Sequence, residues 1–339
     1  MEDPVYISSR QISESVSVRE GEKKLGQVAD FASGKFSQWL KKTTSGFIVL
    51  GIPESIGVRA NFGNPGTEKM WDSFLPKFLN VQYNAFFEKK KIGIAGAVKV
   101  SDLEKLSQKK FRHKKDEVQH LRELTAELDV RVSSVIEKII ASGKRAIIIG
   151  GGHNNAFGNI AGTSKALGKK ISAINIDAHA DLRKAEGRHS GNGFSYALKN
   201  GYLEKYFVIG LHENYNSDFI LSQFAKNKKP GYITFDSYLR GETTLEKMTD
   251  TAIRFTGMVN CGIELDLDAI AGFPSSAETE TGFSANEARK IILTLAARTN
   301  HHYLHLTEGA PFQNPASAGR YSKLAAYLAT DYIKATPVR

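Results

Sequence analysis

Ile171-Ser172-Ala173-Ile174-Asn175-Ile176-Asp177-Ala178-His179-Ala180-Asp181 is the stretch from which the rest of the chain is read. Ile171 to Ile176 has the composition of a buried strand, and it ends in three polar residues at alternate positions. Successive side chains on an extended backbone face opposite ways, so Asp177, His179 and Asp181 share one side. Two carboxylates and an imidazole converging at a strand end are costly away from water unless a cation joins them.

Two further segments add to that inventory. Asp266-Leu267-Asp268 follows the apolar run around Ile263, and His153 follows Gly150-Gly151-Gly152. Together the segments supply Asp177, Asp181, Asp266, Asp268, His153 and His179, which is a donor set for a pair of divalent metals. Carboxylate and imidazole donors suit Mn²⁺, and to a lesser degree Zn²⁺, Fe²⁺ or Ni²⁺. No cysteine stands among them, which disfavours a structural zinc site. The glycine run lacks the Lys-Ser/Thr ending and the spacing of a phosphate loop. It reads as a tight turn that lets His153 approach the cluster. Glu264 shares the alternation of Asp266 and Asp268, and either supports the ligands from behind or faces solvent.

Eight short apolar runs read as strands: 47–50, 92–95, 146–149, 171–176, 206–209, 232–235, 263–266 and 303–306. Periodic helical segments separate them, the clearest being Asp116 to Ser142 and Ser284 to Thr299. Near-continuous apolar strands joined by helical crossovers imply a mostly parallel sheet buried on both faces. The expected architecture is therefore α/β, three αβα layers around a central eight-stranded sheet. Residues 1–44 read as a polar N-terminal extension without a strand, with a helix around Val28 to Leu40, and residues 45–339 as one catalytic domain. Ligands of such sheets bind beyond the carboxyl ends of the strands. His153, Asp177, His179, Asp181, Asp266, Asp268 and Glu308 all fall at or just after such ends.

The formal net charge is +10, from 46 basic and 36 acidic residues, with basic runs at Lys89-Lys90-Lys91 and Lys109 to Lys115. No aromatic or glycine pattern is interleaved with these runs, so they read as solvated surface rather than as a nucleic-acid interface. A basic surface also draws in small anionic substrates. Cys261 is the single cysteine, so no intrachain disulfide forms. No apolar run reaches transmembrane length, and the start of the chain lacks a signal-peptide pattern. Membrane association is not expected, and a cytoplasmic location is the default expectation.

The segments Gly150-Gly151-Gly152-His153, Asp177 to Asp181 and Asp266 to Asp268 together resemble the ureohydrolases (arginase, agmatinase and formimidoylglutamase) over about residues 45 to 335. The resemblance implies an arginase-like fold, a homo-oligomer, and two Mn²⁺ per subunit, with other divalent metals able to serve. It also implies that His153 and Asp181 complete one metal and His179 and Asp268 the other, with Asp177 and Asp266 bridging both. Two metals about 3.5–4 Å apart lower the pKa of a shared water. In such a reaction hydroxide adds to an amidine carbon and collapse expels an amine, with Asp181 carrying the proton. Glu308, in Leu306-Thr307-Glu308-Gly309, resembles the family's carboxylate that pairs with the cationic amidine or guanidinium of the substrate.

The segment from Leu182 to Asn192 is short and strongly basic, and with Ser190-Gly191-Asn192 it looks most like formimidoylglutamases. On that reading Arg183 or Arg188 grips a substrate carboxylate; for each, the competing reading is a structural ion pair. Ser190, Asn192, Asn61, Asn214 and Tyr215 are the further candidates for substrate contact, and His189 is the candidate proton shuttle. The chain departs from the family pattern at Glu264, where a Ser is usual. It departs again at Ala271-Gly272, where an acidic residue and Pro are common, and at Ser190, where arginase has a His before the Gly. The expected reaction is N-formimidoyl-L-glutamate plus water to L-glutamate and formamide, a step of histidine breakdown. The alternatives are a guanidino hydrolase that releases urea, of the arginase or agmatinase type, and a non-catalytic metal-binding scaffold.

Overall fold

Strands that are apolar on both faces must be covered on both sides, and this chain covers them with helices. The computed structural model describes residues 3–87, 89–257 and 260–337, so the first two residues of the expected N-terminal extension lie outside the described residues. Nine strands follow in chain order: β1 Asp30–Phe31, β2 Phe47–Gly51, β3 Ile92–Ala97, β4 Arg145–Ile149, β5 Ile171–Ile176, β6 Leu203–Leu211, β7 Pro230–Thr234, β8 Cys261–Asp266 and β9 His301–Thr307. They form one sheet in the order β1-β3-β2-β4-β9-β8-β5-β6-β7. Every pairing in it is parallel.

Alternate residues of each strand feed two separate cores. Val49, Ile147, Ile149, Ile174, Ile263 and Leu304 pack on one face, against the helices Met70–Leu79, Leu245–Thr256, Ala285–Arg298 and Ala318–Ala335. Ile48, Leu50, Ala146, Ile148, Val208 and Tyr303 pack on the other, against Phe36–Lys42, Lys114–Ala141 and Asn155–Leu167. The helix Ala285–Arg298 starts where its sequence directs: Ser284 accepts from the Glu287 N–H, and the Glu287 side chain returns to the Ser284 N–H. That reciprocal cap satisfies two otherwise unpaired donors.

The expected sheet of eight strands is corrected to nine. The added strand, β1, lies in the segment expected to hold no strand, and it breaks the helix expected around Val28 to Leu40, which begins only at Phe36. Gly34, with φ of 65°, separates the two. β1 closes the edge of β3 through Asp30↔Gly93 and Phe31↔Ile94. Two residues carry no alternation, so only the open edge of β3 makes them a strand. Among the described residues no helix is long and apolar enough to cross a membrane.

The order of the strands positions the site. The chain runs from β4 to β5, but β9 and β8 lie between them in the sheet. The loops that leave β4 and β5 therefore flank a gap floored by the ends of β8 and β9, the kind of crevice in which ligands of open α/β sheets sit.

The helices Lys114–Ala141 and Asn155–Leu167 approach closely through glycine. A Cβ at Gly162 would lie 2.4 Å from the Ser133 carbonyl oxygen and 3.0 Å from the Glu137 nitrogen. Gly162→Ala gains about 1 kcal/mol of helix propensity but overpacks against backbone, at a cost of about 1–3 kcal/mol. The variant is expected to be less stable than the parent, and a urea unfolding midpoint that rose instead would refute this packing argument.

Candidate metal centre

The six expected ligands come together at the ends of three strands, with Glu308 beside them at the end of a fourth that lies in the same part of the sheet. His153 leaves β4, Asp177, His179 and Asp181 leave β5, and Asp266 and Asp268 leave β8, while Glu308 leaves β9. His153 is fully buried, and its Nδ1 lies 3.1 Å from Asp266 Oδ2 and 3.2 Å from both Asp177 Oδ2 and Asp181 Oδ2. His179 Nδ1 lies 3.1 Å from Asp268 Oδ2 and 3.5 Å from Asp177 Oδ1. Two sets of donor atoms are compact enough to hold a cation, His153 with Asp177 and Asp181, and Asp177 with His179 and Asp268. Asp177 belongs to both.

Local structure explains how these side chains are aimed. Asp177 Oδ1 accepts the His179 N–H at 2.6 Å, and Asp266 Oδ1 accepts the Asp268 N–H at 2.9 Å, so each bend after a strand is closed by its own aspartate. Asn175 donates to Asp177 Oδ2 and to the Tyr206 hydroxyl, which in turn donates to the Ala180 carbonyl. The glycine turn is held by Glu54, whose buried Oε1 accepts from the Gly152 N–H at 2.7 Å and from Asn155 Nδ2 at 2.6 Å. Gly150 and Gly151 both have positive φ, and a Cβ on Gly151 would meet Asn155 Nδ2 at 2.4 Å. The glycines are thus demanded both by backbone conformation and by space. Among the described residues five non-glycine residues have positive φ, and three of them (Phe62, Asp181 and Glu308) line the cavity at this centre. Strain of this kind concentrates where geometry is functionally constrained.

The electrostatics test whether a cation fits. Burial, then repulsion from Asp268 and Asp177, pushes the carboxyl of Asp266 well above the usual carboxylate range. Burial also pushes Asp181 up. Burial would raise Asp177 as well, but the two imidazoles beside it hold it low. His153 is drawn toward neutrality by burial, yet the surrounding carboxylates overcome this and raise it well above the ordinary imidazole value. Asp266 and Asp181 are thus driven to retain protons unless a cation joins them. Asp268 Oδ1 is buried with no hydrogen-bond partner among the described residues. An all-oxygen and imidazole donor set with an excess of negative charge fits divalent cations of the Mn²⁺ type.

Above the cluster lies a cavity of about 590 Å³, whose lining combines the acidic Asp181, Glu186, Asp266, Asp268 and Glu308 with His179 and the basic Arg183 and Lys184. Glu308 accepts the His153 N–H through Oε1 at 2.6 Å and the Ser276 hydroxyl through Oε2. Burial pushes its carboxyl up to about 8, against the stabilisation that these donors give the anion. Asn61, Ser190 and Tyr215 also line the cavity, and Asn61 Nδ2 donates to Ser190 Oγ at 3.1 Å.

Four of the expected contact residues lie off this wall. Arg188 is 4% exposed and fully committed: Nε and Nη2 hold Asp129, Nη2 also holds the Asn154 carbonyl, and Nη1 holds Asn192. It is a buried ion pair tying the loop to the helix Lys114–Ala141, not a substrate clamp. Asn192 staples the same loop through the Lys184 and Gly187 carbonyls. His189 is buried, with Nδ1 accepting the Gly191 N–H, and burial together with Arg122, Arg188 and Arg183 pulls it down to about 3. His189 is not among the residues that line the cavity. Asn214 is exposed outside the cavity. Asn216, two residues on, lines it instead, but its amide is engaged with the Ala178 and His212 carbonyls and the Ala180 N–H.

Two supports were not singled out from the sequence. Glu54 holds the glycine turn from about a hundred residues away along the chain, and Asn175 holds Asp177 two residues on by bracing against Tyr206 on the neighbouring strand. Glu264, left between two readings, is fully buried and faces inward.

A parallel α/β sheet with a carboxylate–imidazole centre at the ends of four adjacent strands places the protein among α/β proteins built around a candidate dinuclear site. The Arginase family profile matches residues 47–334, and the chain belongs to that family. Its sequence is 30% identical over 181 residues to a formimidoylglutamase of Streptococcus pyogenes serotype M3, covering 50% of this chain and 55% of that relative. A formimidoylglutamase of Streptococcus gordonii is 29% identical over the same length. The chain thus aligns with just over half the length of these relatives. Among solved structures, the Trypanosoma cruzi formiminoglutamase with Mn²⁺ superposes with a TM-score of 0.73 at 17% identity, covering 93% of this chain and 100% of that one. The Bacillus subtilis formimidoylglutamase gives 0.72 at 16% identity, covering 95% of each.

Removing Arg188 leaves Asp129 buried and unpaired, a loss of about 3–5 kcal/mol. Arg188→Ala is expected to lower the thermal midpoint sharply, whereas Arg183→Ala, at the exposed wall, stays within about 0.5 kcal/mol of the parent. Equal stability of the two variants in calorimetry would refute the separation of their roles.

Proposed function

We propose that this protein hydrolyses the C–N bond of a linear amidine that carries carboxylates, with N-formimidoyl-L-glutamate as substrate and L-glutamate and formamide as products. The observation that carries the reading is a cavity whose lining holds both signs, the carboxylates of the cluster with Glu186 and Glu308, and the basic Arg183 and Lys184. A substrate cationic at its amidine and anionic at its glutamate end matches both signs. The similarity to formimidoylglutamases supports the same choice.

His153, Asp177, Asp181 and Asp266 would hold one Mn²⁺, and His179, Asp177, Asp268 and Asp266 the other. Bound there, the pair supplies Lewis acidity and makes water a competent nucleophile at neutral pH. Glu308 receives the planar amidinium, and a cation beside it favours its ionised form. Ser276 and the His153 N–H fix the direction in which Glu308 faces. Asp181 takes a proton from the attacking water and passes it to the departing nitrogen. Water oxygen bonds to the amidine carbon, the bond to the glutamate nitrogen breaks, and that nitrogen leaves as an amine.

Turnover is measured with Mn²⁺-loaded protein on N-formimidoyl-L-glutamate, with arginine and agmatine in parallel. Formamide and glutamate release from the first alone is expected; urea from either guanidino compound would overturn the substrate assignment. Arg183→Ala is expected to raise KM at least about tenfold, the cost of one lost charge-assisted contact, with kcat largely kept. In metal analysis, Asp177→Ala is expected to lose both ions, and retention of two ions per chain would refute its shared position.

A further inference from the structure

His153 has a crowded front and a nearly vacant back. Its Nδ1 faces three aspartate oxygens, whereas its buried Nε2 has no hydrogen-bond partner among the described residues. The nearest acidic oxygen behind the ring is Glu264 Oε2, at 3.7 Å. The reaction described above does not use this carboxylate.

Glu264 is held with unusual completeness for a buried acid. Oε1 accepts the Tyr303 hydroxyl at 2.7 Å, and Oε2 faces His305 Nδ1 at 2.6 Å. His305 Nε2 in turn faces the Gly150 carbonyl at 3.2 Å, in the turn that leads to His153. Both ring nitrogens of His305 therefore face oxygen atoms, and the ring ties Glu264 to the turn that leads to His153. Glu264 and His305 are cross-strand partners in β8 and β9, so the sheet register itself sets the pair. A partner on each carboxylate oxygen makes the buried Glu264 tolerable.

A neutral imidazole that binds metal through Nδ1 must carry its proton on Nε2, and an acceptor there fixes both the tautomer and the ring angle. On the reading of the site as a metal centre, we propose that Glu264 is the positioning residue for His153. It keeps the proton on Nε2 and turns the Nδ1 lone pair to the front, and Tyr303 and His305 lock its carboxylate in that task. A separation of 3.7 Å is longer than a hydrogen bond, so the hold acts through charge in a dry interior.

Mn²⁺ titration of the full-length protein tests this, by calorimetry and by electron paramagnetic resonance, with His153→Asn used to assign the two binding steps. Glu264→Gln is expected to weaken the His153 site by about 10–100-fold and to leave the His179–Asp268 site nearly unchanged. Tyr303→Phe keeps the carboxylate but removes one of its anchors, and it is expected to give a smaller loss at the same site, which serves as the test if the Gln variant does not fold. Equal weakening at both sites would show a merely structural role, and unchanged affinity in the folded variants would remove the role altogether. Wild-type protein that takes up no Mn²⁺ would overturn the metal centre and this proposal together, an outcome distinct from two normally bound ions in Glu264→Gln.

Discussion

Four aspartates stand within reach of one another at the ends of β5 and β8, largely out of contact with bulk water. Their mutual repulsion is the constraint on which the surrounding structure turns. Each neighbouring feature either neutralises charge, as the two imidazoles do, or holds an oxygen in place, as the backbone N–H groups of His179 and Asp268 do. Asn175, Tyr206 and Glu54 continue this outward, so the positions of the ligands are set by side chains that never reach the cavity. The excess negative charge is also why the donor set suits a cation: buried carboxylates of this kind are costly without one.

The fold serves that constraint by topology. Parallel strands all deliver their carboxyl ends to one edge, and the insertion of β9 and β8 between β4 and β5 brings four such ends together. Residues more than a hundred positions apart, such as His153 and Asp266, are thereby placed 3.1 Å apart. The two cores on either side of the sheet fix the strand register, and a slip by one residue in β8 would exchange the faces of Glu264 and Leu265. The same register that points Leu265 into one core points Glu264 toward the back of His153.

The cavity's lining carries charges of both signs. Within the loop from Leu182 to Asn192, burial separates two arginines. Arg188 is committed to Asp129 and lies over the rings of Phe157 and Tyr196, which fix the loop. Arg183 is left at the wall, on a loop that this pair has already made rigid. Preorganisation of this kind reduces the ordering cost of binding.

Much of this was legible from local pattern. Eight strands could be read because buried parallel strands are nearly continuous apolar runs, and the ligands could be read because they stand at strand ends in alternation. β1 could not be read, since two residues have no period and become a strand only beside the open edge of β3. Nor could sequence separate Arg183 from Arg188, two guanidinium groups five positions apart in one basic loop. What distinguishes them is Asp129, which arrives from a helix 59 residues earlier. The same holds for Glu264, whose alternation was visible but whose inward direction depended on Tyr303 and His305 in the neighbouring strand. Chemistry carried by a residue's type and its period is written along the chain. Chemistry that depends on which distant group becomes its neighbour is decided only by packing, because burial and charge compensation are properties of the folded assembly.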